Sequence, residues 1–134
     1  MSSNTTDVYL FVDQLFFYIF SGFAGHQLPT STPPPVDIYT PSNDSWETII
    51  PSADPHQGYP GARSVHGLVP LSTPDGTGVA LLYHGEREAS NLGHAGAGDF
   101  WDDVWALVWR DGALGWRKLV VEGRFSIRLH SAPI

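Results

Sequence analysis

One order of features runs along this chain and then begins again, and that internal repeat limits the accessible folds more than any other property. Phe16 to Phe20 is a run of β-favouring residues that ends at Ser21-Gly22. A loop rich in Gly, Ser, Thr and Pro follows from Gly25 to Pro35. Val36 to Tyr39 and Ser45 to Ile50 then make a hairpin around the turn Thr40 to Asp44. In the second unit Val79 to Tyr83 is the apolar strand and His84-Gly85 its end. A glycine-rich loop runs on to Gly98, and Asp102 to Trp109 and Trp116 to Val121 form the hairpin around a turn at Arg110 to Gly115. Gly22, Asp37-Ile38-Tyr39 and Trp46 thereby correspond to Gly85, Asp103-Val104-Trp105 and Trp116, at offsets of 63, 66 and 70 residues. Between the units lie a loop from Pro51 to Ala62, a strand from Arg63 to Leu71 and a Pro-Asp-Gly turn from Ser72 to Gly78.

The physical sense of such a unit is a small antiparallel sheet. Its inner strand ends in glycine where neighbouring backbone comes close, and aromatics on the next two strands cover a face. A sheet with two apolar faces cannot bury both alone, so each unit must stack on its sibling. Trp46 and Trp116 are accordingly expected in the core. Trp105 and Trp109, four apart on one strand, fall on one face, with Val104, Ala106 and Val108 on the other. No helix-period segment of convincing length intervenes, and the expected class is all-β.

Composition narrows the function classes. At 134 residues the chain is one domain of ordinary size. Seven basic against fourteen acidic residues, a formal charge of −7, leave no basic surface for a phosphate backbone, so no nucleic acid is expected. Without cysteine there is no disulfide framework and no thiolate nucleophile, which favours cytoplasm or nucleus. The apolar run from Leu15 to Phe20 has no base before it and is far shorter than the roughly 20 residues of a membrane span. It is read as a buried strand, and no membrane is expected.

These residues resemble the Kelch repeat, in which an apolar strand ends in a glycine doublet and a Tyr and a Trp six residues apart follow on the next two strands. Phe20-Ser21-Gly22 and Tyr83-His84-Gly85 stand where the doublets stand, each with its first glycine replaced. The likeness covers Leu15 to Val121. Gly85 to Trp105 is similar to the fungal galactose-oxidase/Kelch-type group, which in turn resembles the plant specifier proteins. The resemblance implies about two four-stranded antiparallel blades of a partial β-propeller: 15–50 a first blade portion, 63–121 a second blade, and 122–134 the start of a third or a tail. Open blade faces of that kind leave apolar surface and strand edges in water, so self-association that covers them is one expectation.

For chemistry, Glu86, His94, Asp99, Asp102 and Asp103 are the densest set of oxygen and nitrogen ligands. The specifier resemblance implies iron(II) held in a Glu-x3-Asp-x3-His spacing, which Glu86 and His94 fit at its ends while Ser90 stands in the middle. A hydroxyl is a much poorer ligand than a carboxylate. The structural alternative is that Glu86 hydrogen-bonds within its loop and His94 caps backbone groups, and it is the favoured one; no cofactor is then expected. Glu86 and Glu88, two apart in an irregular loop, are not a paired acid and base, and nothing marks a nucleophile. His66 reads as a strand-face histidine. Arg63 stands where the Kelch resemblance implies an Arg at the start of a strand, and there it is expected to reach toward the preceding unit with charge-assisted hydrogen bonds.

The leading expectation is therefore a protein-interaction scaffold rather than an enzyme, meeting its partner through the loops His26–Pro35 and Pro51–Ala62. Trp101, Trp105, Trp109 and Trp116 are the residues available for an aromatic platform. A specifier-like iron-dependent protein acting on thioglucoside breakdown products, and a truncated product without independent function, are the alternatives.

Overall fold

The computed structural model describes residues 16–23, 27–88, 91–92, 96, 98–122 and 126–129. Among them the chain is all-β, its only helical piece a single 3-10 turn at Pro41–Asn43. The strands are β1 (Phe17–Phe20), β2 (Val36–Thr40), β3 (Ser45–Ile49), β4 (Gly67–Pro70), β5 (Gly78–Tyr83), β6 (Glu86–Glu88), β7 (Asp99–Phe100), β8 (Val104–Arg110), β9 (Ala113–Glu122) and β10 (Ser126–Leu129). They form three antiparallel sheets: β1-β2-β3, the five-stranded β10-β9-β8-β5-β4, and the ribbon β6-β7. No helix among the described residues is long and apolar enough to cross a membrane.

The two larger sheets face each other across one core. Tyr18, Phe20, Val36 and Ile38 project from the first; Leu68, Ala80, Leu82, Trp105, Leu107, Leu114 and Trp116 project from the second. Phe20 meets the Trp116 ring at 5.2 Å between centroids, and Trp105 meets it at 6.5 Å, both near edge-on. Alternation along β8 sends Val104, Ala106 and Val108 to the opposite face, where Leu119 joins them in a smaller cluster. The tryptophan-bearing hairpins thus stand in separate sheets, as their need for a covering neighbour predicts.

Several boundaries differ from the sequence reading, each for a local reason. The turn placed at Arg110 to Gly115 contracts to Asp111-Gly112, whose φ values of 51° and 77° give the twist that a two-residue hairpin requires, and β9 starts at once. The strand expected from Arg63 begins only at Gly67, because the backbone at Arg63 and Ser64 is used between sheets and Val65 turns to φ 46°. Part of the expected glycine-rich loop is the ribbon β6-β7. Instead of four strands apiece the sheets have three and five, since β10, from the segment read as a further unit or tail, adds to the edge of β9.

Trp46 is the main correction. Its side chain is 49% exposed, whereas Trp116 is fully buried. Tyr39 and Trp46 are direct cross-strand partners on the face of the first sheet that points away from the second. The six-residue spacing puts them side by side without deciding whether that side is covered.

Candidate functional site

A buried ion pair clamps the two sheets together. The Arg63 guanidinium donates to Asp103 Oδ1 at 2.6 Å and Oδ2 at 3.1 Å, to the His84 carbonyl at 2.9 Å and to the Gly61 carbonyl at 3.0 Å. The same residue's main chain holds the first sheet: its N–H donates to Ser21 Oγ and its carbonyl accepts from Gly22 N–H, both at 2.8 Å. The side chain therefore reaches the second unit and only the backbone reaches the preceding one, which corrects the expected direction. The guanidinium groups of Arg63 and Arg87 both lie over the Trp101 ring, 4.9 and 5.1 Å from its centroid, and Trp101 donates its indole N–H to the Ala62 carbonyl. Burial raises the Asp103 carboxyl, but the bonds from Arg63 and the Trp105 indole N–H outweigh it and hold the group below the usual carboxylate range.

The singled-out glycines flank this clamp. Ser21-Gly22 and His84-Gly85 adopt the same left-handed pair of conformations, φ 56° then 97° in the first unit and 56° then 102° in the second. A Cβ on Gly85 would stand 2.7 Å from both the Ser64 carbonyl oxygen and the His66 Cβ, so close approach as well as φ demands glycine there. His66, read from the sequence as a strand-face histidine, lies just ahead of β4 and is buried edge-on against Phe20.

Glu86 is spoken for. Its backbone pairs with Ser64, and its Oε1 accepts from Gly98 N–H at 3.2 Å. His94, the other ligand implied for iron, lies outside the described residues, as does Ser90. Among the described residues no group of three or more His, Asp or Glu side chains is arranged to hold a metal ion.

The loop from Pro51 to Ala62 is tied to the second sheet. Ser52 docks on the edge of β9, its N–H on the Leu114 carbonyl and its carbonyl on the Trp116 N–H, both at 2.9 Å. Asp54 accepts from Lys118 N–H through Oδ2 and from His56 and Gln57 N–H through Oδ1. Burial raises this carboxyl, and those three donors more than offset it, so its pKa is lowered. The loop is a staple between the sheets.

Beside the staple the sheets part to leave a cleft of about 710 Å³. Its walls are Phe16, Tyr18 and Ile49 from the first sheet side, Trp109 and Leu114 from the second, and Tyr59 from the staple loop, with Glu47 at the rim. Trp109 and Tyr59 are 38% and 40% exposed, so both rings are available to a bound group. Burial pushes the Tyr18 phenol up to about 12, which keeps it neutral at any physiological pH. Trp109 belonged to the expected aromatic platform; Trp105 and Trp116 are packed in the core instead. Tyr59 gave no periodic signal, being an aromatic in a proline-rich loop whose path depends on the Ser52 and Asp54 contacts.

No family model, curated protein or solved structure matches this chain.

Proposed function

We propose that this chain is a Kelch-type partial propeller that works as a protein-interaction scaffold, taking an apolar or aromatic segment of a partner into the cleft between its two sheets. The observation that carries the reading is the cleft itself, in which exposed Trp109 and Tyr59 rings stand on two elements fixed by the Ser52 and Asp54 contacts. A concave, mainly apolar site on a rigid frame is the usual form of a recognition site. Support for the Kelch part comes from the stacked antiparallel sheets and the recurrence of one left-handed pair of residues at the same point in both units.

Selection from a random peptide display library tests it. The wild-type chain is expected to enrich sequences sharing an aromatic or aliphatic anchor, and a Trp109→Ala, Tyr59→Ala double variant with an unchanged thermal melt is expected to lose them. Equal retention by the variant, or no enrichment by the wild type, refutes the use of the cleft. Of the ligand set implied for iron(II), Glu86 is the one described residue, and its Oε1 accepts a hydrogen bond from Gly98 N–H.

A further inference from the structure

The outer face of the first sheet repeats the acceptor side of the buried clamp without an internal cation. In the second unit Asp103, just ahead of β8 and two residues before Trp105, receives Arg63, with the Trp105 indole N–H steadying its Oδ2 at 2.8 Å. Asp37 and Tyr39 stand at the corresponding positions 66 residues earlier, two apart on one face of β2. The matching φ values at Ser21-Gly22 and His84-Gly85 mark the same backbone geometry at the ends of β1 and β5.

On that face Phe17, Tyr39 and Trp46 are successive cross-strand partners, with ring centroids 6.1 Å apart for the first pair and 4.9 Å for the second. Asp37 is partly buried beside this ladder and accepts only a hydroxyl, that of Thr48 at 2.7 Å. Asp44 accepts the Tyr39 hydroxyl at 2.8 Å. Among the described residues the ion pair found is Arg63 with Asp103, so no cation of the chain is seen at Asp37.

Charge is distributed to match. All seven Lys and Arg residues lie at or beyond Arg63, while residues 1–62 carry six carboxylates and no Lys or Arg. An aromatic ladder flanked by carboxylates on an all-acidic unit suits a guanidinium, which stacks on ring faces and bonds carboxylates with two parallel donors. A second copy would bring the same acidic face to this one, and like charges opposed across an interface are unfavourable.

We infer that Asp37, Tyr39 and Trp46 form a docking site for an arginine-bearing segment of a partner protein, which inserts a guanidinium where the second unit holds Arg63. The inference rests on the scaffold reading but concerns a face separate from the cleft, so the two fail separately.

The experiment is a fluorescence anisotropy titration with a labelled decapeptide of alternating Arg and Ser, beside Lys-Ser and Glu-Ser counterparts. Saturable binding of the Arg peptide is expected, several-fold tighter than the Lys peptide and absent for the Glu peptide. A Trp46→Ala, Asp37→Asn double variant, altered only at surface side chains and checked by its thermal melt, is expected to bind at least tenfold more weakly. Trp109→Ala is expected to change the affinity by less than twofold; a larger loss assigns the peptide to the cleft and overturns the site. No saturation, equal binding of the Arg and Glu peptides, or full binding by the double variant also overturns it. So does a dimer in sedimentation velocity that Trp46→Ala dissociates and the Arg peptide leaves intact, since the occupant is then a second copy.

Discussion

Trp46 and Trp116 hold corresponding places in two copies of one structural unit, yet one is half in solvent and the other is sealed in the core. The cause is the direction of stacking. The face of the second sheet that bears Trp105 and Trp116 is covered by the back of the first sheet, through Phe20 and its neighbours. The face of the first sheet that bears Tyr39 and Trp46 has no equivalent cover from the second. The carboxylates repeat the lesson: Asp103, two residues before Trp105, is buried against Arg63, while Asp37, two residues before Tyr39, accepts a threonine hydroxyl. A repeated sequence specifies a repeated fold, and the position of each copy in the stack decides whether the same residue is core or surface.

The sharpest way to break this comparison is to remove both aspartates in turn. Asp103→Ala leaves a buried guanidinium uncompensated and is expected to cost about 3–5 kcal/mol. Asp37→Ala is expected to cost less than about 1 kcal/mol. Chemical denaturation midpoints measure both, and equal losses would mean that the two faces are equally buried. The tryptophans give a second pair, with Trp116→Ala expected to cost about 3–5 kcal/mol and Trp46→Ala within about 0.5 kcal/mol. A large loss at Trp46 would show that something covers the outer face after all.

Acid sensitivity is expected to follow the second sheet. Asp103 and Asp54 have pKa values lowered in the folded state from an ordinary 3.8, so they bind fewer protons folded than unfolded. Their contribution is complete above that ordinary value and is lost as pH falls through the lower folded values. Stability measured by denaturant from neutral pH downward should therefore decline below about 4, and Asp103→Asn should flatten that limb. A glycine pair compares backbone conformation with crowding, beginning at the β8-β9 turn, where Gly112 has φ 77° and open space around it. Gly112→Ala is expected to cost about 1–2 kcal/mol from backbone conformation alone, against a larger loss for Gly85→Ala, whose Cβ also collides with Ser64 and His66.

Much of the architecture was legible in the residues. The glycine-terminated strands, the Asp-aromatic pairs and the two hairpins with their alternating faces all follow from local propensity and a side-chain period of two, which the backbone imposes wherever a strand forms. Arg63 was expected as a bridging cation from its place in the Kelch resemblance, and charge-assisted hydrogen bonds were its expected means. Tertiary structure alone decided which acceptor it took, which face of each sheet lay inward, and that Ser52 and Asp54 would bind the edge of β9 and so open a cleft beside Tyr59 and Trp109. The reason is one of range: strand periodicity and turn chemistry are set by neighbours a few residues away, while burial depends on partners 40 to 64 residues distant, such as Asp103 for Arg63 and Lys118 for Asp54.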